Sequence, residues 1–223
     1  MDLWEAMKER HSVRSYTKRK LEGDTLEQLH RMIAECNRES GLNMQLCLEE
    51  PKAFSGMIAR YGKFKNVRNY IALVGKKDAG LEEKCGYYGE RIVLEATRLG
   101  LATCWVGASY SKGKTAARIG EGEKLLLVIA VGYGETEGTP HKVKTIQELS
   151  RVRGGEEMPD WFLRGMEAAQ IAPTAVNQQR FVFELNGDAV KATTLPGFYT
   201  KVDLGIARYH FEAGAGKGNW RWF

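Results

Sequence analysis

Little in this sequence announces specialised chemistry. Its 223 residues include only four cysteines, Cys36, Cys47, Cys85 and Cys104, with no C-x-x-C pair and no histidine beside any of them. A thiolate metal site needs such clustering, so the four are expected to be small buried apolar residues. No G-x-G-x-x-G is present, which removes the turn on which the classical dinucleotide fold is built. The longest apolar run, Leu125–Val131, falls far short of the ~20 residues that a membrane helix needs. The opening Met-Asp-Leu-Trp-Glu-Ala has no basic stretch leading into an apolar one, so no signal peptide and a cytoplasmic location are expected. Charge of one sign is also scarce: 33 basic against 28 acidic residues leave a net +5, and Lys18-Arg19-Lys20 is the only three-residue basic run. Nucleic-acid binders carry a denser basic stripe, so an anionic small molecule is the better match.

What is present suits a folded protein with a sizeable core, at 43% hydrophobic and 27% charged residues. Hydrophobic periodicity predicts helices over 2–10, 25–36 and 84–99, the last stopped by Gly100. It predicts strands at 46–48, 70–74, 101–107, 124–132 and 180–185, the second of them ended by Gly75. Gly154-Gly155 reads as a hinge, which sets a first part at 1–153 and a second at 154–223.

The second part echoes the first. At an offset of 134, Leu29, Met32, Ala34, Asn43, Gln45 and Glu50 coincide with Leu163, Met166, Ala168, Asn177, Gln179 and Glu184. Roughly one or two such identities are expected by chance in a window of this length. Each copy runs helix, polar loop with Asn-x-Gln, then strand, and the helix at 84–99 has a gapped echo at Asp203–Ala213. An internal duplication accounts for this pattern.

Four segments carry chemistry. Arg10-His11-Ser12-Val13-Arg14 closes the first helix with two guanidiniums and a hydroxyl, donors suited to phosphate; alone it also fits a frayed helix end. Lys142 and Lys144 follow the strand 124–132, and alternation in extended chain points both ammoniums one way. Ile171-Ala172-Pro173-Thr174-Ala175-Val176-Asn177-Gln178-Gln179 ends a helix in small residues and amides, which let backbone approach a ligand and offer paired donors and acceptors. Gly100-Leu101-Ala102-Thr103-Cys104-Trp105-Val106-Gly107 brings glycine-flanked backbone out of the core, with Trp105 expected to pack. Each segment alone is also an ordinary loop or strand end.

Taken together and in this order, Arg-His-Ser-x-Arg, Gly-Leu-Ala-Thr-Cys-Trp-Val-Gly, His-Lys-x-Lys and Ala-Pro-Thr-Ala-x-Asn-x-Gln resemble the nitroreductase family of FMN-dependent NAD(P)H oxidoreductases. The resemblance implies an α+β fold with a central, mostly antiparallel sheet flanked by helices. One departure is informative. Residues 39–45 lack the proline and small residues of the family's first loop, and the second part lacks an Arg-x-Ser-x-Arg segment. Each part keeps what the other has lost. The chain therefore resembles a duplicated branch in which one polypeptide stands in for the family's dimer, its halves related by a pseudo-two-fold with one FMN at their seam.

The resemblance implies roles as well. Arg10, Lys142 and Lys144, helped by Ser12, would hold the FMN phosphate. Arg14 would sit near N1 and O2 of the ring, and His11 would supply backbone and ring-edge contact. Pro173, Thr174, Ala175 and Asn177 would approach from the second half, and the backbone of Val106 and Gly107 would meet N5. The family often has an acidic residue where Val106 stands, so the polarity there departs from the pattern. The implied reaction passes hydride from NADH or NADPH through the flavin to a small oxidised acceptor, such as a nitroaromatic or quinone. No general acid or base is assigned, and His30 and His210 are read as helix-surface or core histidines. The expected assembly is a monomeric pseudo-dimer or loose homodimer, with neither nucleic acid nor membrane as partner. Two other readings compete: a flavin-binding protein with a different acceptor or a sensing role, and a colourless basic module that binds anions or nucleic acid.

Overall fold

The computed structural model describes residues 1–155, 157–218 and 220–223. Asp2 opens the first helix: its carboxylate accepts the Glu5 N–H, and the Glu5 carboxylate accepts the Asp2 N–H. This reciprocal cap sets α1 at Leu3–Glu9, after which Arg10 turns extended. α2 (Gly23–Ser40) outruns the predicted 25–36 and stops only where Gly41 adopts a left-handed φ of 71°. Then come β1 (Gln45–Cys47), α3 (Met57–Tyr61), β2 (Tyr70–Lys76), α4 (Leu81–Arg98), β3 (Ala102–Val106) and β4 (Glu123–Gly132).

These strands form an antiparallel sheet in the order β1-β2-β4-β3. Both of its faces are covered. Ile71, Leu73, Leu127 and Ile129 join the core under α2 and α4, while Tyr70, Ala72, Val74 and Val128 meet Phe54, Ala59 and Tyr110 on the other side. A strand buried on both faces reads as a continuous apolar run, which is how β2 reads. β2 also passes through Gly75, its predicted end; a Cβ there would lie 2.7 Å from both Leu42 and Leu81, so this glycine serves packing. The four cysteines are free and buried, as expected.

The rest of the chain is α5 (Ile146–Leu149), β5 (Ser150–Val152), α6 (Asp160–Gln170), β6 (Phe181–Asn186), β7 (Ala189–Thr194), α7 (Thr200–Ala215) and β8 (Arg221–Trp222). Its strands make a second sheet, β5-β6-β7-β8, antiparallel at the centre and parallel at both edges. The α+β class stands, but two four-stranded sheets replace the single central sheet of the expectation. β5 lies before Gly154-Gly155 yet pairs with β6 beyond it, so the chain has already crossed into the second sheet by residue 150. One hydrophobic core runs through both halves, from Leu29 and Ile33 to Phe183 and Phe211.

The halves meet where α4 crosses α7, and glycine makes the crossing possible. A Cβ on Gly86 would lie 2.0 Å from the Val202 carbonyl oxygen and 3.1 Å from the Ile206 nitrogen. A Cβ on Gly205 would lie 2.1 Å from the Glu83 carbonyl oxygen and 2.7 Å from the Tyr87 nitrogen. The contacts are reciprocal: each glycine meets the residue three before, and the residue one after, the other glycine. Glycine inside a helix costs about 1 kcal/mol relative to alanine, and here the backbones touch in return. Gly86→Ala is expected to lose about 3 kcal/mol or more of stability, against the helix-propensity gain, because the clash is with backbone. Urea unfolding of the variant measures this.

Candidate functional site

Two adjoining cavities lie along the seam. The first, about 120 Å³, has Ser12, Arg14, Trp105, Val106 and Gly107 on the first-half side and Pro173, Thr174, Tyr199 and Asp203 on the second. The other, about 270 Å³, adds Arg10, Thr139, Pro140, His141 and Asn177. Ser12, Arg14, Pro173, Thr174 and Val176 border both, so the two form one groove. Together they reach the size of a small-cofactor site, roughly 300–1,000 Å³.

A buried charge cluster forms the inner end. Arg10 is 4% exposed and Glu90, on α4, is 0% exposed. The Arg10 Nε lies 3.8 Å from the Glu90 carboxylate and has no hydrogen-bond partner among the described residues. Burial pulls the guanidinium below its usual pKa, and Glu90 opposes the shift. Glu90 is held from two more directions: the Trp105 indole N–H donates to it at 2.9 Å, and His210 Nε2 of α7 lies 2.9 Å away. The other ring nitrogen of His210 meets the Ala168 carbonyl at 3.0 Å. Both ring nitrogens of His210 are thus engaged, one by Glu90 and one by the Ala168 carbonyl. Gly89 leaves room for the Trp105 ring; a Cβ there would lie 2.5 Å from it.

The second-half wall is a strained loop. Val176, Asn177 and Gln179 have φ of 45°, 55° and 46°, and Tyr199, just before α7, has φ of 58°. For a β-branched residue such as Val176 this is an outlier, and such strain persists only where neighbouring contacts impose it. Here those contacts are visible. Asp203 accepts the Ala175 N–H at 2.9 Å and the Gln178 side-chain amide at 2.8 Å. Asn177 and Gln179 donate to the Lys142 carbonyl at 2.8 and 2.9 Å. The Lys144 ammonium donates to the Gln179 carbonyl at 2.9 Å. Across the cavity, the Tyr199 hydroxyl donates to the Gly107 carbonyl at 3.0 Å, with its ring against that glycine.

The groove thus gathers Arg10, Ser12, Arg14, Val106, Gly107, Pro173, Thr174, Ala175 and Asn177. It does not gather the rest. His11 borders a neighbouring hollow with Glu9 and Glu137, and its ring meets the Glu137 carbonyl at 3.2 Å. Lys142 is exposed, and the Lys144 ammonium braces the loop. His141 reaches the groove instead, with a buried Nε2 that has no partner among the described residues and a pKa lowered by burial and by Arg10. The alternation that sets Lys142 and Lys144 on one side sets His141 on the other. Glu90, Tyr199 and Asp203 went unnoticed in the sequence because their partners lie in the other half or in a distant loop.

The family model described as TM nitroreductase matches residues 2–215. Among solved structures, a nitroreductase from Thermotoga maritima superposes with a TM-score of 0.66 at 23% identity, over 95% of this chain and 82% of that one. An FMN complex of a nitroreductase from Desulfovibrio desulfuricans gives 0.53 at 14% identity, over 71% of this chain and 99% of that one. An NADH dehydrogenase/NAD(P)H nitroreductase from Bacteroides thetaiotaomicron gives 0.52 at 20% identity, over 66% and 95%. At these identities the likeness is one of fold. No curated protein matches the sequence.

The charge cluster makes its own forecast. Glu90→Leu leaves Arg10 buried without a counter-ion and the Trp105 indole without an acceptor. Chemical denaturation should show a loss of about 3–5 kcal/mol, far more than the side-chain volume change accounts for.

Proposed function

Because the chain belongs to the nitroreductase family, we propose that it is an FMN-dependent oxidoreductase that takes hydride from NADH or NADPH and passes it to a small oxidised acceptor such as a quinone or nitroaromatic. The observation that carries this reading is Arg10. A guanidinium almost wholly out of water that borders a groove, its Nε toward Glu90 and the group without a hydrogen bond among the described residues, suits a fixed anion such as a phosphate. The surroundings fit the rest of the cofactor: Ser12 and Asn177 are polar, Arg14 is cationic, and Pro173, Thr174 and Ala175 are small. Flavin supplies the hydride chemistry when bound.

The residues divide the work along the groove. Arg10 and Ser12 would hold the phosphate end, with His141 beside them. Arg14 would face the pyrimidine edge of the ring, where a cation favours the reduced, anionic form. Val106 and Gly107 would present backbone to the central ring, and the 173–177 loop would close the site from the second half. We infer that the halves arose by duplication, so that one chain builds the seam a dimer would otherwise supply. The reciprocal Gly86 and Gly205 contacts support this, as does the shared helix, antiparallel strand pair and helix of α2, β1, β2 and α4 against α6, β6, β7 and α7, the first set differing by α3 inserted between its strands.

Charge beside the groove suits an anionic reductant. Residues 51–70 and 107–120 hold eight basic and no acidic side chains. The two stretches touch: the Ser111 N–H donates to the Ala53 carbonyl at 2.8 Å, and Gly62 lies against Ser109, two residues beyond Gly107. Lys52, Arg60, Lys63, Lys112 and Lys114 are exposed there. Such a rim raises the local concentration of a dinucleotide.

Purified protein is expected to be yellow with one equivalent of FMN, and to bleach when NADH or NADPH is added without oxygen. A flavin that stays oxidised with both nucleotides overturns the reductase reading. Arg10→Lys keeps the charge opposite Glu90 but removes the guanidinium fork, so FMN affinity should fall about tenfold to a hundredfold with little change in thermal midpoint. The KM for the nucleotide should rise with ionic strength while kcat holds, as screening of the rim requires.

A further inference from the structure

We propose that Asp203 is the proton donor of this redox site, protonating the acceptor as it is reduced in the cavity beside Gly107. The proposal rests on the oxidoreductase reading above and supplies the acid that reading lacks.

The placement comes first. Asp203 stands on the first turn of α7 and is 2% exposed, yet it borders the same cavity as Ser12, Arg14, Val106 and Gly107. The Ala175 N–H fixes one carboxyl oxygen and the Gln178 amide the other, so the group cannot swing away. No cation pairs with it among the described residues. A buried carboxyl without a counter-ion holds its proton more tightly than one in water. Burial lifts Asp203 to about 6, against the pull of its two hydrogen bonds, and an acid serves best when its pKa lies near the working pH.

The other titratable groups around it are less suited. Arg14 is a guanidinium, which does not give up its proton at neutral pH. The Tyr199 hydroxyl, one turn back, is committed to the Gly107 carbonyl, and Tyr110 faces Tyr199 from beyond the cavity. On the α4 side, Glu83 is paired with Arg208.

The balance is simple. A quinone that receives one hydride from the reduced cofactor needs one proton to leave as the hydroquinone. The Asp203 O–H bond breaks, its proton goes to the quinone oxygen, and the carboxylate left behind takes a proton back from solvent.

The test reduces the flavin-loaded protein with dithionite, so the nucleotide plays no part, and follows reoxidation by stopped flow. Benzoquinone takes electrons and protons; ferricyanide takes electrons only. With wild-type protein, the quinone rate should fall as pH rises through about 6, where the donor loses its proton, and the ferricyanide rate should not follow it. Asp203→Asn should slow the quinone reaction roughly a hundredfold relative to the ferricyanide reaction and remove that pH limb; Asp203→Glu should restore part of the rate. A readout independent of turnover is carbon-13 NMR of flavin-free protein, in which one aspartate carboxyl should titrate near 6 and be missing from the Asn variant. Equal slowing of both oxidants, a wild-type quinone profile in Asp203→Asn, or no such carboxyl resonance overturns the proposal. Protein that takes up no flavin overturns the oxidoreductase reading itself, an outcome distinct from rapid, pH-independent quinone turnover in loaded protein.

Discussion

Everything in the groove depends on two helices touching backbone to backbone. Gly86 and Gly205 let α4 and α7 approach until each glycine meets the other helix's carbonyl. Side chains further along those helices then face one another at distances that hydrogen bonds can use. Glu90, one turn beyond Gly86, reaches His210, about one turn beyond Gly205. Asp203 and Tyr199, before Gly205, are carried to the cavity wall opposite Gly107. Pushing the helices apart by the width of a methyl group would disturb both the inner charge cluster and the outer wall, since neither is anchored by one half alone.

Strength of anchoring differs along the groove. Around Arg10 the charges are dry, so removing one partner is costly and the geometry is rigid. Along the 173–179 loop, the backbone is held in disfavoured conformations by a few side-chain hydrogen bonds. Such segments come from the low-stability end of a fold, and a loop that must admit a ligand belongs there. Val176 is 79% exposed at the centre of this loop, an apolar side chain held at the rim of the groove by the turn.

The sequence revealed what is local. Helices, strands and the Arg10–Arg14 segment were readable because their signals lie within a few residues: the Asp2 and Glu5 cap, the stripe of α2, the apolar run of β4. The echo at offset 134 suggested a repeated helix, loop and strand, and gave no sign that β5, before Gly154, pairs in the second sheet. Direction was lost wherever it depended on remote partners. Lys144 looked like a phosphate ligand beside Lys142, yet the Gln178 and Gln179 carbonyls, more than thirty residues on, take its ammonium. Glu90 looked like one more helix charge, and its burial under Trp105, Arg10 and His210 follows only from the three-dimensional crossing.

That crossing also bears on why, among the described residues, a charge cluster stands on the Glu90 side of it and none on the Tyr209 side. If Gly86 matches Gly205, then Glu90 matches Tyr209. Tyr209 packs edge-on against Tyr87, with ring centroids 5.2 Å apart, and offers no carboxylate to a guanidinium. The second half has no Arg-x-Ser-x-Arg segment to place one there. Buried charges persist only in compensating sets, so losing either member removes the pressure to keep the other. Under the proposed duplication, a half without these arginines is better served by an aromatic residue at the position of Glu90, whereas the half with Arg10 needs the carboxylate beside it.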